Sequence, residues 1–513
     1  MKHIKKLASL LLVLVMVFAL ATTAFAEETT YSITINNSTA GHTYEAYQIF
    51  TGDLATNEAG NKVLSNIVWG SGVSEAGQTA LGDAAAKAET LKTEADAKAF
   101  AKAVAPYLTT AAGSANTVTD GKYVISGLAA GYYLVKDQDG SLTGDNDSYT
   151  EYIIQVVGNV TATPKSDVPE VEKKVKDTND STGVTSDWQD SADYDIGDSV
   201  PFQLKATLAD NVSSYTTYKV VFHDTLSKGL TYNNDAKVYI DGTETNGFTV
   251  TATVNADGTT TLTVSCDDVK DLGAGNSSVI TVEYTAKLNE NAVLGSAGNP
   301  NEVYLEYSNN PNKSENGNNE TGETPKDVVI VFTYKTIINK VDSETKPLTG
   351  AAFKLEKLIK GEDGAADTWT TVKEFAVDGT TTSFTFSGLD DGQYKLTETK
   401  TPVGYNTIDP IYFVIEATHG ETADVPTLKS LNAYLNDATG NKQTEMKDGE
   451  SVNIDLGTVD LTAGSITTTV VNKSGSELPS TGGIGTTIFY VLGGVLVLAA
   501  VVLLVTKKRM GNN

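Results

Sequence analysis

A lysine, a carboxylic acid and an asparagine recur together at positions that strand alternation turns inward. Lys340 shares a face with Ile338, Glu398 with Tyr394 and Leu396, and Asn472 with Val470. A second set has the same parity: Lys173 with Val171 and Val175, Asp224 with Val220 and Phe222, Asn301 with Val303 and Leu305. Burial disfavours charge, so an inward lysine becomes a neutral amine nucleophile and an inward acid keeps its proton. Such an acid could polarise the asparagine carbonyl and help move protons as ammonia leaves. The alternative is a buried ion pair beside an inert asparagine, which is costly, or, for Lys173, a side chain that snorkels from a strand end. Asn309 and Asn310 compete with Asn301 as acceptors. The histidines, His3, His42, His223 and His419, are scattered and suggest no metal cluster; no GxSxG elbow or phosphate loop is present, and no cofactor is implied. Glycan hydrolysis would need an exposed carboxylate pair, and the two acids that parity places, Asp224 and Glu398, point inward.

These residues need rigid strands to hold them. Val200, Phe202, Leu204, Ala206 and Leu208 share one face, as do Ile280, Val282, Tyr284, Ala286 and Leu288. The reading is a mainly β protein of tandem Ig-like sandwiches. Its blocks are 27–165, 166–325 and 326–473, with the Asn/Gly-rich stretch Ser308–Thr324 closing the second. The first block carries an Ala-rich helix around Glu75–Leu108, in which Leu81, Ala84, Ala88, Leu91 and Ala95 recur at helical spacing. Cys266 is the one cysteine, so no intramolecular disulfide can form; it shares a face with Leu262 and Val264 and reads as a buried apolar thiol.

Both ends carry addresses. Lys2, Lys5 and Lys6 precede an apolar run from Leu7 to Leu20 and the small-x-small site Ala24-Phe25-Ala26, which reads as a signal peptide over 1–26. At the other end, 474–513 holds a linker, Leu478-Pro479-Ser480-Thr481-Gly482, an uncharged stretch from Gly483 to Thr506 long enough to span a bilayer, and Lys507-Lys508-Arg509. This arrangement resembles the cell-wall sorting signal of Gram-positive surface proteins. The resemblance implies that a sortase cleaves Thr481–Gly482 and leaves Thr481 as an acyl donor. Taking the six basic residues of the two ends from the net −27 leaves about −33 on the mature chain, which repels nucleic acid and anionic membranes.

The third block is more specific. Tyr394-Lys395-Leu396-Thr397-Glu398-Thr399, followed by Pro402-Val403-Gly404-Tyr405, resembles the E-box of Gram-positive pilins. Ile338–Asp342, Leu348–Ala351 and Phe353–Leu355 resemble the opening strands of the collagen-adhesin B-type Ig fold, and Val470–Lys473 its final strand. The resemblance implies an autocatalytic Lys340–Asn472 isopeptide bond assisted by Glu398. Asp224-Thr225-Leu226-Ser227-Lys228-Gly229-Leu230 resembles the acid-bearing segment of middle pilin domains, implying a Lys173–Asn301 bond assisted by Asp224. In the first block Gly131-Tyr132-Tyr133-Leu134-Val135-Lys136-Asp137 echoes the E-box strand with Asp137 in place of Glu, but the opening strand, Tyr31-Ser32-Ile33-Thr34-Ile35, has no lysine, so no bond is expected there.

Val160-Thr161-Ala162-Thr163-Pro164-Lys165 is similar to the pilin motif whose lysine attacks the sortase-bound threonine, although Thr163 stands where that motif has Tyr. Lys165 is the expected acceptor, with Lys174 and Lys176 as alternatives. A lysine between the first two blocks and a donor at the far end give head-to-tail contacts that propagate. The sequence is therefore identified as a member of the major pilins of sortase-assembled pili: secreted, wall-anchored, and a substrate rather than an enzyme. Its implied partners are pilin-type and housekeeping sortases, its own copies, accessory pilins and peptidoglycan. A singly anchored adhesin or a basal or tip pilin would share everything except a working Lys165.

Overall fold

Clean inward and outward alternation becomes β-sheet throughout. The computed structural model describes residues 30–56, 62–142, 147–150, 153–156, 159–164, 167–314, 320–361, 364–474, 489–499 and 507. The signal peptide, Lys165 and Leu478–Gly482 lie outside the described residues.

Three sandwich-like units follow one another. In the first, Tyr31–Asn36 runs between Lys122–Leu128 and, in parallel, Val160–Ala162. A second sheet is ordered Lys62–Trp69, Tyr44–Thr56, Tyr132–Asp137, Ile153–Val156. The expected single helix is instead three: Glu75–Leu81, Ala84–Glu89 and Glu94–Val104. Gly82 ends the first at φ +87°, a left-handed conformation that glycine adopts freely. Asp83 then caps the second by accepting from Ala86 N at 2.8 Å, and Thr93 with Asp96 forms a capping box on the third. These breaks reset the helical phase, so Ala84, Phe100, Ala101 and Val104 are buried while Ala95 is exposed.

In the second unit Ser199–Thr207 pairs antiparallel with Val279–Leu288 on one side and Glu170–Val175 on the other. The alternating residues of both long strands are buried, and Cys266 lies in the same core. The facing sheet is ordered Ser191–Asp193, Asp327–Phe332, Asn299–Ser308, Val220–Leu226, Thr260–Cys266, Thr249–Val254. Asp327–Phe332, which follows the expected break at 325, is hydrogen-bonded into this sheet against Asn299–Val303.

In the third unit the first strand, Tyr334–Val341, lies parallel to the last, Ser465–Val471, with Lys340 opposite Val470. The facing sheet is ordered Thr368–Glu374, Ala352–Ile359, Gly392–Lys400, Ile411–His419, Leu428–Asn436. Residues 489–499 are helical. Among the described residues no helix is long and apolar enough to cross a membrane; the rest of the apolar stretch expected to do so lies outside them.

Candidate functional site

Strand register brings both inward sets together. In the third unit Lys340, Glu398 and Asn472 have buried side chains. The Lys340 ammonium nitrogen Nζ bonds Asn472 Oδ1 and donates to Val470 O at 3.1 Å. Asn472 Nδ2 donates to Glu398 Oε1 at 2.9 Å and Oε2 at 3.1 Å, while Lys340 Nζ stands 3.9 Å from Glu398 Oε1. The acid thus faces the nitrogen that would depart, not the carbonyl oxygen that the sequence reading assigned to it. Burial pulls the Lys340 amine down to about 8, against the opposing pull of Glu398.

The E-box turn holds this acid. Glu398 Oε2 also accepts from Thr401 Oγ1 at 3.2 Å and Ile408 N at 3.3 Å. Gly404 turns the chain at φ +88°, and Asn406 N bonds Lys473 O at 3.0 Å. The loop after the acid is thereby stitched to the segment carrying Asn472.

In the second unit Lys173, Asp224 and Asn301 are fully buried. Lys173 Nζ donates to Asp224 Oδ1 at 2.6 Å and to Tyr284 OH at 3.2 Å. The Tyr284 hydroxyl donates to Asp224 Oδ2 and accepts from Asn301 Nδ2 at 2.7 Å. Desolvation lowers the Lys173 amine, with Asp224 opposing it, and raises the Asp224 carboxyl, with Lys173 opposing that. Tyr284 is thus a relay between acid and carboxamide that the sequence reading did not single out, although its parity with Val282 and Ala286 marked it as inward. The two sites also differ in topology. Lys340 lies on the first strand of its unit and Asn472 immediately follows the neighbouring last strand of the same sheet, whereas Lys173 and Asn301 face each other across the two sheets.

The competitors lie elsewhere. Asn309 and Asn310 stand eight and nine residues beyond Asn301, roughly 27–31 Å along the chain, where Asn309 O accepts from Tyr149 N and Asn310 Nδ2 donates to Glu320. Lys174 pairs with Asp190, and the Lys176 amine sits 5.0 Å from the Trp188 ring centre. In the first unit Asp137 accepts from Thr150 N at 2.6 Å and bonds His42 Nδ1 at 2.8 Å.

Comparison with known proteins fits this geometry. A family model described as the Gram-positive pilin backbone subunit 2, Cna-B-like domain, matches residues 196–311. A prealbumin-like fold domain model matches 335–427, and the LPXTG cell wall anchor motif matches 470–510. The chain belongs with the Gram-positive backbone pilins. The trypsin-resistant surface T6 protein of Streptococcus pyogenes serotype M6 is 27% identical over 445 residues, covering 76% of this chain and 77% of that relative. The solved T6 backbone pilin of the same serotype, described as a modular three-domain structure, aligns over 88% of this chain and all of its own, with a TM-score of 0.55 at 18% identity, a likeness of fold. This pilin is a structural subunit of a pilus anchored to the cell wall at the surface.

Proposed function

We propose that this pilin forms the pilus shaft, closes its second and third units with Lys173–Asn301 and Lys340–Asn472 isopeptide bonds, and is joined by sortase from Thr481 to Lys165 of the next copy. One observation carries the internal bonds: two lysines without solvent exposure each share a network with a buried acid and a buried carboxamide. In each, the neutral Nζ attacks the asparagine Cγ, forming C–N as the Cγ–Nδ2 bond breaks. The acid takes the proton shed by Nζ and delivers one to Nδ2, directly from Glu398 or through Tyr284 from Asp224, and ammonia leaves. The acid ends as it began. Each bond forms once, so the chain is a substrate that matures itself rather than a turnover enzyme.

The expected mass of the secreted chain is lower than its sequence mass by two ammonia molecules, one of which is regained in Glu398→Ala and one in Asp224→Ala. A mass equal to that of the sequence would remove the mechanism. For the intersubunit bond, a denaturing immunoblot of wall extracts from cells carrying the pilin sortase should show a ladder that collapses to monomer in Lys165→Ala. A persisting ladder assigns the acceptor to another lysine, and no ladder in either chain favours a singly anchored adhesin. Attachment of the finished fibre to peptidoglycan by a housekeeping sortase, and capping by accessory pilins, complete the reading.

A further inference from the structure

The junction between the second and third units concentrates carboxylates in two groups. In the first, Asp180, Asp195, Asp198 and Asp390 converge, and the chain supplies its own cation: Lys357 Nζ lies 2.9 Å from Asp180 Oδ2 and 2.7 Å from Asp195 Oδ2, and also bonds Asp390. In the second, Asp177, Asp193 and His419 place one potential ligand atom each within 4.8 Å of one another. Among the described residues no lysine or arginine forms a salt bridge with either of these acids; His419 Nε2 lies 3.4 Å from Asp177 Oδ2.

Three observations beyond the clustering point to a missing ligand. Asp193 is 2% exposed, yet its Oδ2 has no hydrogen-bond partner among the described residues, and the same is true of the buried Asp177 Oδ1. Tyr334, on the first strand of the third unit, is fully buried with its hydroxyl against the Asp193 carboxylate, a contact too poorly aligned to satisfy either group as a good hydrogen bond would. His419 is held from behind by Ser191 Oγ, 2.7 Å from Nδ1, an arrangement that fixes the ring and leaves Nε2 facing the acids. Nitrogen and oxygen ligands about 2.1 Å from a tetrahedral ion sit about 3.4 Å apart, which is the His419 to Asp177 separation and longer than a good hydrogen bond.

We propose that Asp177, Asp193 and His419 bind one first-row divalent metal ion, Zn2+ or Mn2+, which ties the second unit to the third. The imidazole selects against Ca2+ and Mg2+, which take oxygen ligands. Asp177 and Asp193 come from the second unit and His419 from the end of Ile411–His419 in the third, so the ion spans the joint at which Phe332 passes through Thr333 to Tyr334. His419, isolated in the sequence and set aside there, becomes a ligand only through the fold.

The test is calorimetric titration of the EDTA-stripped, dialysed secreted chain with ZnCl2, MnCl2, CaCl2 and MgCl2, together with thermal unfolding. One Zn2+ or Mn2+ per chain and a rise in Tm are expected, with at least a ten-fold loss of affinity in His419→Gln. Ser191→Ala keeps every ligand and should weaken binding by roughly 10–100-fold, which guards against misfolding of the first variant; far-UV circular dichroism checks both. The proposal is overturned if neither ion binds, if both variants bind as the wild type does, or if only Ca2+ or Mg2+ binds. No outcome depends on polymerisation.

Discussion

Lys173 and Lys340 sit in sandwich interiors, while Lys357 sits at the joint between the second and third units, and all three are buried. Burial alone would make each a neutral nucleophile. The interior amines are indeed lowered, because desolvation outweighs the few acids near them, Glu398 for Lys340 and Asp224 with Asp327 for Lys173. Around Lys357, Asp390, Asp195 and Asp180 outweigh desolvation and raise the amine far above its ordinary value. The difference teaches that the count of carboxylates around a buried lysine, more than its depth, separates a reactive amine from a structural cation.

Breaking the interior side of the comparison gives the largest expected effect. Glu398→Ala should regain one ammonia in mass and lose roughly 5 kcal/mol of stability to urea, by the loop-closure reasoning used for disulfides, since Lys340 and Asn472 are 132 residues apart. A further loss of roughly 3–5 kcal/mol should follow if Lys340 is left charged and alone.

Lys357→Met breaks the other side. No mass change beyond the substitution is expected, because Lys357 forms no bond; the loss at pH 7 should be roughly 3–5 kcal/mol, from buried carboxylates left unpaired. That loss should shrink on acidification. Desolvation and then the neighbouring Asp195 raise the Asp198 carboxyl from 3.8 to about 6. The folded form therefore binds more protons than the unfolded between these values, and its stability falls as pH rises through that window. Urea titrations of wild type and variant at pH 7 and pH 5 check the sign; a deficit that grows at pH 5 would refute it.

Two smaller changes sharpen the comparison. Tyr284→Phe removes the relay but leaves Lys173, Asp224 and Asn301, so the bond should still form, roughly 100-fold more slowly, as followed by mass after refolding. Asn309→Ala and Asn310→Ala should leave both bonds, and hence the two-ammonia deficit, intact.

Strand parity made the inward lysines, acids and asparagines legible, because a period of two needs only neighbours in sequence. The same parity would have nominated Lys357, which follows Phe353 and Leu355 on its strand; what distinguishes it are acids at 180, 195 and 390, assembled by tertiary folding. The Tyr284 relay was hidden for a related reason: an inward tyrosine reads as core until its hydroxyl is seen between Asp224 and Asn301. The three helices of the first unit were merged because a run of alanines fits helical spacing through a break, and the caps at Asp83 and Thr93 are short local signals. The pairing of Asp327–Phe332 with the second unit was equally hidden, since a polar loop precedes it as it would a new domain.

One placement sets how far a tugged fibre can stretch. Asn472 follows the last strand of its unit, so a load entering at Lys340 would leave at Asn472 and bypass everything between. Asn301 lies two strands before the last of its unit, and residues 302–332 stay in the line of force. If Asp327–Phe332 peels away under load, the residues from 309 to 332 could pay out about 80 Å of chain before the next cross-link takes the strain, while Asn299–Ser308 stays paired with Val220–Leu226. Each subunit would then carry a short, recoverable slack between two inextensible segments.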